Sequence, residues 1–224
     1  MGREDWYRNS DWGSDIEDAF RAKLARARSQ KPQYIIIQAA YLSASHPKIA
    51  LSLIEEYFQT GDESFTPNAH RTQAVAYRAL GQTEDAVLAF KQALDWEASH
   101  PGHITEARIG FPKLVVEERL VAEYDYALNI LTSRFTPSDH VFPNMRYDWN
   151  GCCALIAFER EEFHEAQEFA ERALRAAAET ESPFRYHRSV GVVKNASDEF
   201  GRRIKRIARP SILRSLFTTV SNVR

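Results

Sequence analysis

The chain has 224 residues, 44% of them apolar and 27% charged, with a formal net charge of −2, a balance that excludes global disorder. Only 9 glycines and 9 prolines stand among plentiful Ala, Glu, Arg and Leu, which favours helices, since Gly and Pro interrupt helix interiors. No apolar run reaches the roughly 18–20 residues that span a bilayer, and the only cysteines are the neighbours Cys152 and Cys153, so a membrane span and a disulfide framework are both excluded and a reducing cytoplasm is expected.

In chain order, residues 1–30 read as an N-terminal capping segment. Ser14 or Asp15 can N-cap a helix through Arg28 that buries Ile16, Phe20, Leu24 and Ala27, with Trp6 and Trp12 laid over the first repeat. Residues 31–182 then read as four helix-turn-helix units, about 31–64, 67–100, 108–141 and 147–180. The second is the clearest. Its first helix carries Ala74, Tyr77 and Leu80 and is closed by Gly81. Its second carries Ala86, Phe90, Ala93 and Leu94 at i, i+4, i+7 and i+8, one apolar stripe.

The fourth unit repeats this with Ala154 and Ala157, then Phe163, Ala166, Ala170, Ala173 and Leu174, but Glu161 stands in place of the turn glycine. The third unit is framed by Val115, Val121, Tyr124, Ala127 and Leu131, and the first by Gln38, Tyr41, Ala50, Ile54 and Phe58. The alanines at 50, 86, 127 and 166 are then 36, 41 and 39 residues apart, with loops at Ser99–His103 and Thr136–His140 accounting for the longer intervals. Residues 182–193 fit no unit and read as extended or turn-rich. Asn195 to Ala208 reads as a helix with Phe200, Ile204 and Ile207 on one side. Pro210 ends it, and Ile212, Leu213, Leu216 and Phe217 predict a last short helix.

The residues Ala74, Tyr77, Gly81, Ala86, Phe90 and Ala93, with Pro101 a few places late, resemble the tetratricopeptide repeat family, although His70 and Gln73 replace the usual opening Trp and Leu. The N-terminal flank and the stretch Phe184-Arg185-Tyr186-His187 also resemble sequence of uncharacterised bacterial proteins of that family. The resemblance implies an all-α fold, a right-handed α-solenoid of about four helix pairs with capping helices at both ends. It also implies a non-enzymatic role as an adaptor or regulator that binds a protein or peptide in a concave groove. An immunity-like inhibitor that occludes a toxin's active site is a narrower form of the same reading.

In that family the first helix of each unit lines the groove. Arg71 and Arg78, seven residues apart, share one helix face. With Ala127 aligned to Ala86, Arg119 falls one unit further on at the place of Arg78. A guanidinium stripe of this kind suits carboxylates, because each planar fork pairs two oxygens. An acidic protein or peptide is therefore the expected partner. The family's clamp for chaperone tails is not reproduced, since Ile35 and Ala39 occupy that face in the first unit.

Charge is unevenly spread. Residues 183–224, a basic C-terminal cap or tail, carry ten Lys or Arg against Asp198 and Glu199, a net of +8, while residues 1–182 carry 19 basic and 29 acidic residues, a net of −10. Arg202, Arg203, Lys205, Arg206 and Arg209 crowd one helix. Such a patch could bind phosphate backbones or an anionic membrane surface, which is the alternative function. An amphipathic helix within a folded chain more often docks on that chain, and no nucleic-acid motif accompanies this one, so nucleic acid is disfavoured.

Other candidates carry less. His100, His103 and Glu106 are spaced at three, but Pro101 and Gly102 make that stretch a loop and no further ligand accompanies it, so no metal or cofactor is expected. Cys152 and Cys153 read as core thiols. There is no Gly-rich phosphate loop and no serine nucleophile in a strand-turn-helix context, which leaves no catalytic residue to name.

Overall fold

Proline opens four of the helices, placed in the first turn, where its missing N–H has no intrahelical partner to lose. The computed structural model describes residues 5–134 and 142–209, and these are all-helical. The ten α-helices among them are α1 (Ser14–Leu24), α2 (Lys31–Leu42), α3 (Pro47–Gln59), α4 (Thr66–Ala79), α5 (Thr83–Ser99), α6 (Ala107–Glu117), α7 (Tyr124–Asn129), α8 (Pro143–Glu159), α9 (Phe163–Ala177) and α10 (Glu199–Ala208). Pro32, Pro47, Pro67 and Pro143 stand in the first turns of α2, α3, α4 and α8. The residues predicted as a last short helix (Ile212, Leu213, Leu216, Phe217) and the Thr136–His140 loop lie outside the described residues.

The chain divides into two compact units, residues 1–111 and 112–224. The division falls inside α6 at Pro112, which can donate no intrahelical hydrogen bond. It does not coincide with the sequence boundaries at 30/31 and 182/183.

In the first unit, α2 packs on α3, α3 on α4 and α4 on α5. Its core joins Phe20 and Leu24 to Ile35, Ile36, Leu42, Leu53, Ile54 and Tyr57, and full burial of each such side chain stabilises by about 1.5–3 kcal/mol. Trp6 lies over the first pair as expected, its ring 4.9 Å from Tyr34 and 5.7 Å from Phe20, and Trp12 is 5.6 Å from Phe20. Gln38 is wholly buried and satisfied, with Oε1 accepting from the Asn9 N–H at 3.1 Å and Nε2 donating to the Asn9 carbonyl at 2.8 Å. Three expectations need correction. The N-cap of α1 is Gly13 without a side-chain cap bond, not Ser14 or Asp15. Tyr41 is 48% exposed, not core, whereas Ile35 and Ala39 are fully buried and present nothing to a ligand.

In the second unit, α8 packs along α9, and α10 lies against both. Phe200, Ile204 and Ile207 are buried, so the basic helix docks on its own chain by the apolar side the sequence marked. Gly151 makes that approach close: a Cβ there would lie 2.5 Å from Phe200 Cζ and 2.7 Å from Ile204 Cδ1. Asp198 caps α10 by accepting from the Gly201 N–H at 2.8 Å, so the helix proper begins at Glu199, four residues past the predicted start at Asn195.

Three helix ends share one turn. Gly81, Arg119 and Glu161 have φ of 74°, 54° and 64°. In each case the next residue's N–H donates to the carbonyl five residues back: Gln82 to Tyr77, Leu120 to Val115 and Glu162 to Ala157, all at 2.9 Å. This is the hydrogen-bond pattern of a helix closed by a left-handed residue. It aligns Arg119 with Gly81, a shift of 38 residues, not the 41 obtained by matching Ala127 to Ala86. The third unit is therefore out of register by three in the sequence reading. Tyr124 takes the place of Ala86, and Val121, read as core, is 67% exposed in a 3-10 turn.

Candidate functional site

Arg71 and Arg78 stand on α4 two turns apart, about 10 Å along the axis. Arg78 is exposed, and Arg71 is partly covered. Arg71 Nη2 lies 2.5 Å from Glu106 Oε2, and that carboxylate is itself largely exposed. The segment carrying Glu106 is anchored from below by Glu97, whose side chain is 1% exposed. Glu97 accepts from the Thr105 N–H at 2.9 Å, from Thr105 Oγ1 at 2.6 Å and from Arg108 Nε at 2.6 Å. A guanidinium on α4 thus already holds a carboxylate delivered by a fixed segment of the chain.

Arg119 does not join this pair. It sits at a helix-closing turn in left-handed backbone, not on a helix face, so its equivalence with Arg78 is corrected to equivalence with Gly81.

The basic C-terminal helix is also redistributed. Arg203 is 5% exposed, donates through Nη1 to the Val116 carbonyl at 2.6 Å and stands 3.6 Å from Glu159. It is a buried ion that closes the end of α6, and burial lowers its pKa, helped by the like charge of Arg119 and opposed by Glu159. Arg202 pairs with Glu199 at 2.8 Å and donates to the Ser197 carbonyl at 3.0 Å. Arg206 and Arg209 are exposed, and Lys205 is half-buried. The patch read as five residues loses its centre to the core.

A second set of polar residues converges in the second unit, where sequence reasoning named none. Lys113 on α6 places Nζ 2.7 Å from Asp148 Oδ1 on α8 and 4.9 Å from the centre of the Phe200 ring. Burial raises the Asp148 carboxyl above its ordinary range, and Lys113 opposes the rise. Burial alone would lower the Lys113 pKa, but the carboxylate outweighs it and the net change is upward.

Beside this pair, Tyr147 Oη and Asn144 Oδ1 are buried with no hydrogen-bond partner among the described residues, an arrangement that costs free energy unless a partner is supplied. Burial raises the Tyr147 phenol strongly, with Asp198, Asp148 and Glu117 adding to it, so the hydroxyl stays protonated as a donor. These four side chains line an open cleft of about 510 Å³ whose other wall is residues 189–195. That irregular segment follows α9. It is fastened at the start of α8 by the Asn144 N–H donating to the Gly191 carbonyl at 2.8 Å and by Phe184 packing 5.1 Å from Phe142. Lys113 and Asp148 are 35 residues apart, about one repeat period, so a search for charges at equivalent positions of successive first helices would have found them.

Elsewhere, His100 stacks on Trp96 with ring centres 4.3 Å apart, and among the described residues no group of three or more His, Cys, Asp or Glu could hold a metal ion. Both thiols are buried as expected. Burial pushes Cys153 up to about 12 and Cys152 well above its ordinary value. No described helix is long and apolar enough to cross a membrane. No protein-family model matches the chain, and no curated protein and no solved structure matches it either.

Proposed function

We propose that the chain is a protein-binding module of tetratricopeptide-type helix pairs, stacked as a right-handed solenoid, that captures an acidic segment of a partner protein through Arg71 and Arg78 on α4. The observation that carries this reading is the Arg71–Glu106 pair, in which a guanidinium on a first-helix face holds an exposed carboxylate that a partner's carboxylate can replace. The recurrence of one helix-closing turn at Gly81, Arg119 and Glu161 supports the repeat. The exposed aromatic Tyr41, on the first helix of the preceding pair, supports a contact surface. An adaptor and an immunity-like inhibitor use such a face in the same way, and they differ in whether the complex silences an activity of the partner.

The test compares the wild-type chain with an Arg71→Glu/Arg78→Glu variant in affinity purification from the native host, read by mass spectrometry. Loss of a specific partner from a variant with unchanged helical content supports the reading, and retention of every partner overturns it. Binding of nucleic acid or anionic membranes through the C-terminal helix gains no support, because its central arginine is buried and its apolar side is occupied.

A further inference from the structure

Between α9 and α10 the chain folds into a loop tied by its own backbone. The Ser182 N–H donates to the Arg188 carbonyl at 3.2 Å, which brings the ends of residues 182–188 together. Inside and beyond it, the His187 N–H donates to the Phe184 carbonyl at 3.1 Å and the Val190 N–H to the His187 carbonyl at 3.0 Å, two successive turns. Its foot rests on the start of α8 through Phe184 against Phe142 and the Gly191 carbonyl on the Asn144 N–H. Yet every residue from Pro183 to Val190 is exposed. Backbone groups are paired while side chains stay unpacked, which is the character of a compact surface loop that serves contact and not the core.

Eight large apolar side chains stand exposed among the described residues, and three of them, Phe184, Tyr186 and Val190, fall within seven positions of this loop. Tyr186, at 83%, is the most exposed of the eight. Apolar residues scattered singly over a surface need no explanation, but such a concentration marks a place that meets another body. From Ser182 to Ser197 the chain carries Arg185, Arg188 and Lys194 and no carboxylate. Arg185 lies over the Tyr186 ring at 5.6 Å, and none of the three cations forms an ion pair among the described residues. Charge of a single sign indicates the kind of body. Protein interfaces match charges of both signs to fix register, and a nucleic-acid strand calls for several stacking rings along a basic groove. An anionic bilayer is a uniformly negative sheet that draws in adjacent cations and seats aromatic rings at the headgroup level, with no shaped pocket required.

We propose that the loop of residues 182–190 docks the chain on an anionic lipid surface, with Tyr186 and Phe184 seated among the headgroups and Arg185, Arg188 and Lys194 held by the lipid phosphates and carboxylates. The contact is peripheral and salt-dependent. It uses neither the arginines of α4 nor the exposed cations of α10, so it goes beyond the reading of the chain as a protein-binding module and does not depend on it.

The test is flotation of the full chain with phosphatidylcholine vesicles prepared with and without phosphatidylserine. The chain should partition onto the anionic vesicles at least about tenfold more strongly than onto the neutral ones, and rising salt should remove the difference. Arg185→Ser/Arg188→Ser should weaken anionic binding about tenfold, and Tyr186→Ser about threefold. All three side chains are exposed, so both variants should keep wild-type helical content and melting. Arg206→Ser/Arg209→Ser removes the same charge from α10 and should leave vesicle binding within about twofold of the wild type. Vesicle binding that ignores phosphatidylserine, or none at all, overturns the proposal, and so does full binding by the loop variants. An equal loss in the α10 variant would move the contact to that helix, and tighter binding of a single-stranded oligothymidylate than of vesicles would move it to nucleic acid; either overturns the proposal. Partner capture through Arg71 and Arg78 should be unchanged in the loop variants, so failure of this proposal and failure of the α4 reading are distinguishable.

Discussion

Gly81 and Glu161 hold the same left-handed backbone conformation, φ 74° and 64°, each at the end of a first helix and each followed by an N–H donating five residues back. For glycine this geometry is free of strain, whereas a residue with a Cβ pays about 1 kcal/mol there. A Cβ at Gly81 would meet nothing within 4 Å, so Gly81→Ala probes backbone strain alone. It should cost about 1 kcal/mol, and Glu161→Gly should raise stability by about 0.5–1 kcal/mol, both read as shifts of the urea midpoint at constant slope.

The same turn shows where the fold was legible in the sequence and where it was not. At α4 and α5 the glycine marked the turn, so the register was right and Ala74, Ala86, Phe90, Ala93 and Leu94 are all buried. At α8 and α9 the alanine spacing of 154, 157, 166, 170 and 173 sufficed without a glycine, because a small residue on every core-facing turn leaves no other face to bury. In the third unit neither signal is present. The turn residue is Arg119, and Tyr124 fills the place an alanine holds elsewhere, so the nearest alanine drew the alignment three residues off. The candidate site shares that limit. Arg71 and Arg78 were legible as a seven-residue spacing, but Lys113 and Asp148 become partners only when helices one period apart are laid side by side.

Lys113 and Asp148 make a partly covered pair, and removing one partner leaves the other charge without compensation. Lys113→Met should cost about 2 kcal/mol, less than a wholly buried pair because water reaches both groups, and Lys113→Met/Asp148→Leu should recover most of the loss. The pH dependence has a definite sign. In Lys113→Met the Asp148 carboxyl, already raised by burial, loses the cation that opposes the rise. The folded chain then keeps a proton that the unfolded chain has released, so stability falls as pH climbs from the ordinary carboxyl value through the raised folded one. In the wild type the raised Lys113 gives a stabilisation present below the ordinary lysine value and lost as pH rises through its folded value. Urea denaturation across pH checks both.

At Gly151 α10 comes close to α8, and the three atoms a Cβ would strike belong to two side chains with little room to move, Phe200 at 2% and Ile204 at 0% exposure. Phe200 is further held by Tyr147, ring centres 5.6 Å apart, and by Lys113 above its face. Gly151→Ala gains about 1 kcal/mol of helix propensity but should still destabilise by about 1–2 kcal/mol net, because overpacking forces α10 outward. Hydrogen exchange should localise the effect, with faster exchange in α10 and little change in α4 and α5.

Glu97 and Glu106 sit on either side of the segment that reaches Arg71, and their substitutions should separate anchoring from surface pairing. Glu97 is buried with three donors converging on it, among them Arg108, whose side chain is 16% exposed. Glu97→Ala removes the buried acceptor of Arg108 Nε and of both Thr105 donors and should cost about 3 kcal/mol, while Glu97→Gln, which still accepts from Thr105, should cost about half as much. Glu106→Gln removes only an exposed partner of Arg71 and should change stability by less than about 0.5 kcal/mol. If Arg71 serves a partner's carboxylate, Glu106→Gln also frees the guanidinium and should tighten partner capture, whereas Glu97→Ala should loosen the segment and raise amide exchange from His100 to Glu106. Equal destabilisation by Glu106→Gln and Glu97→Ala would mean that the Arg71 pair, not the buried carboxylate, holds the segment in place.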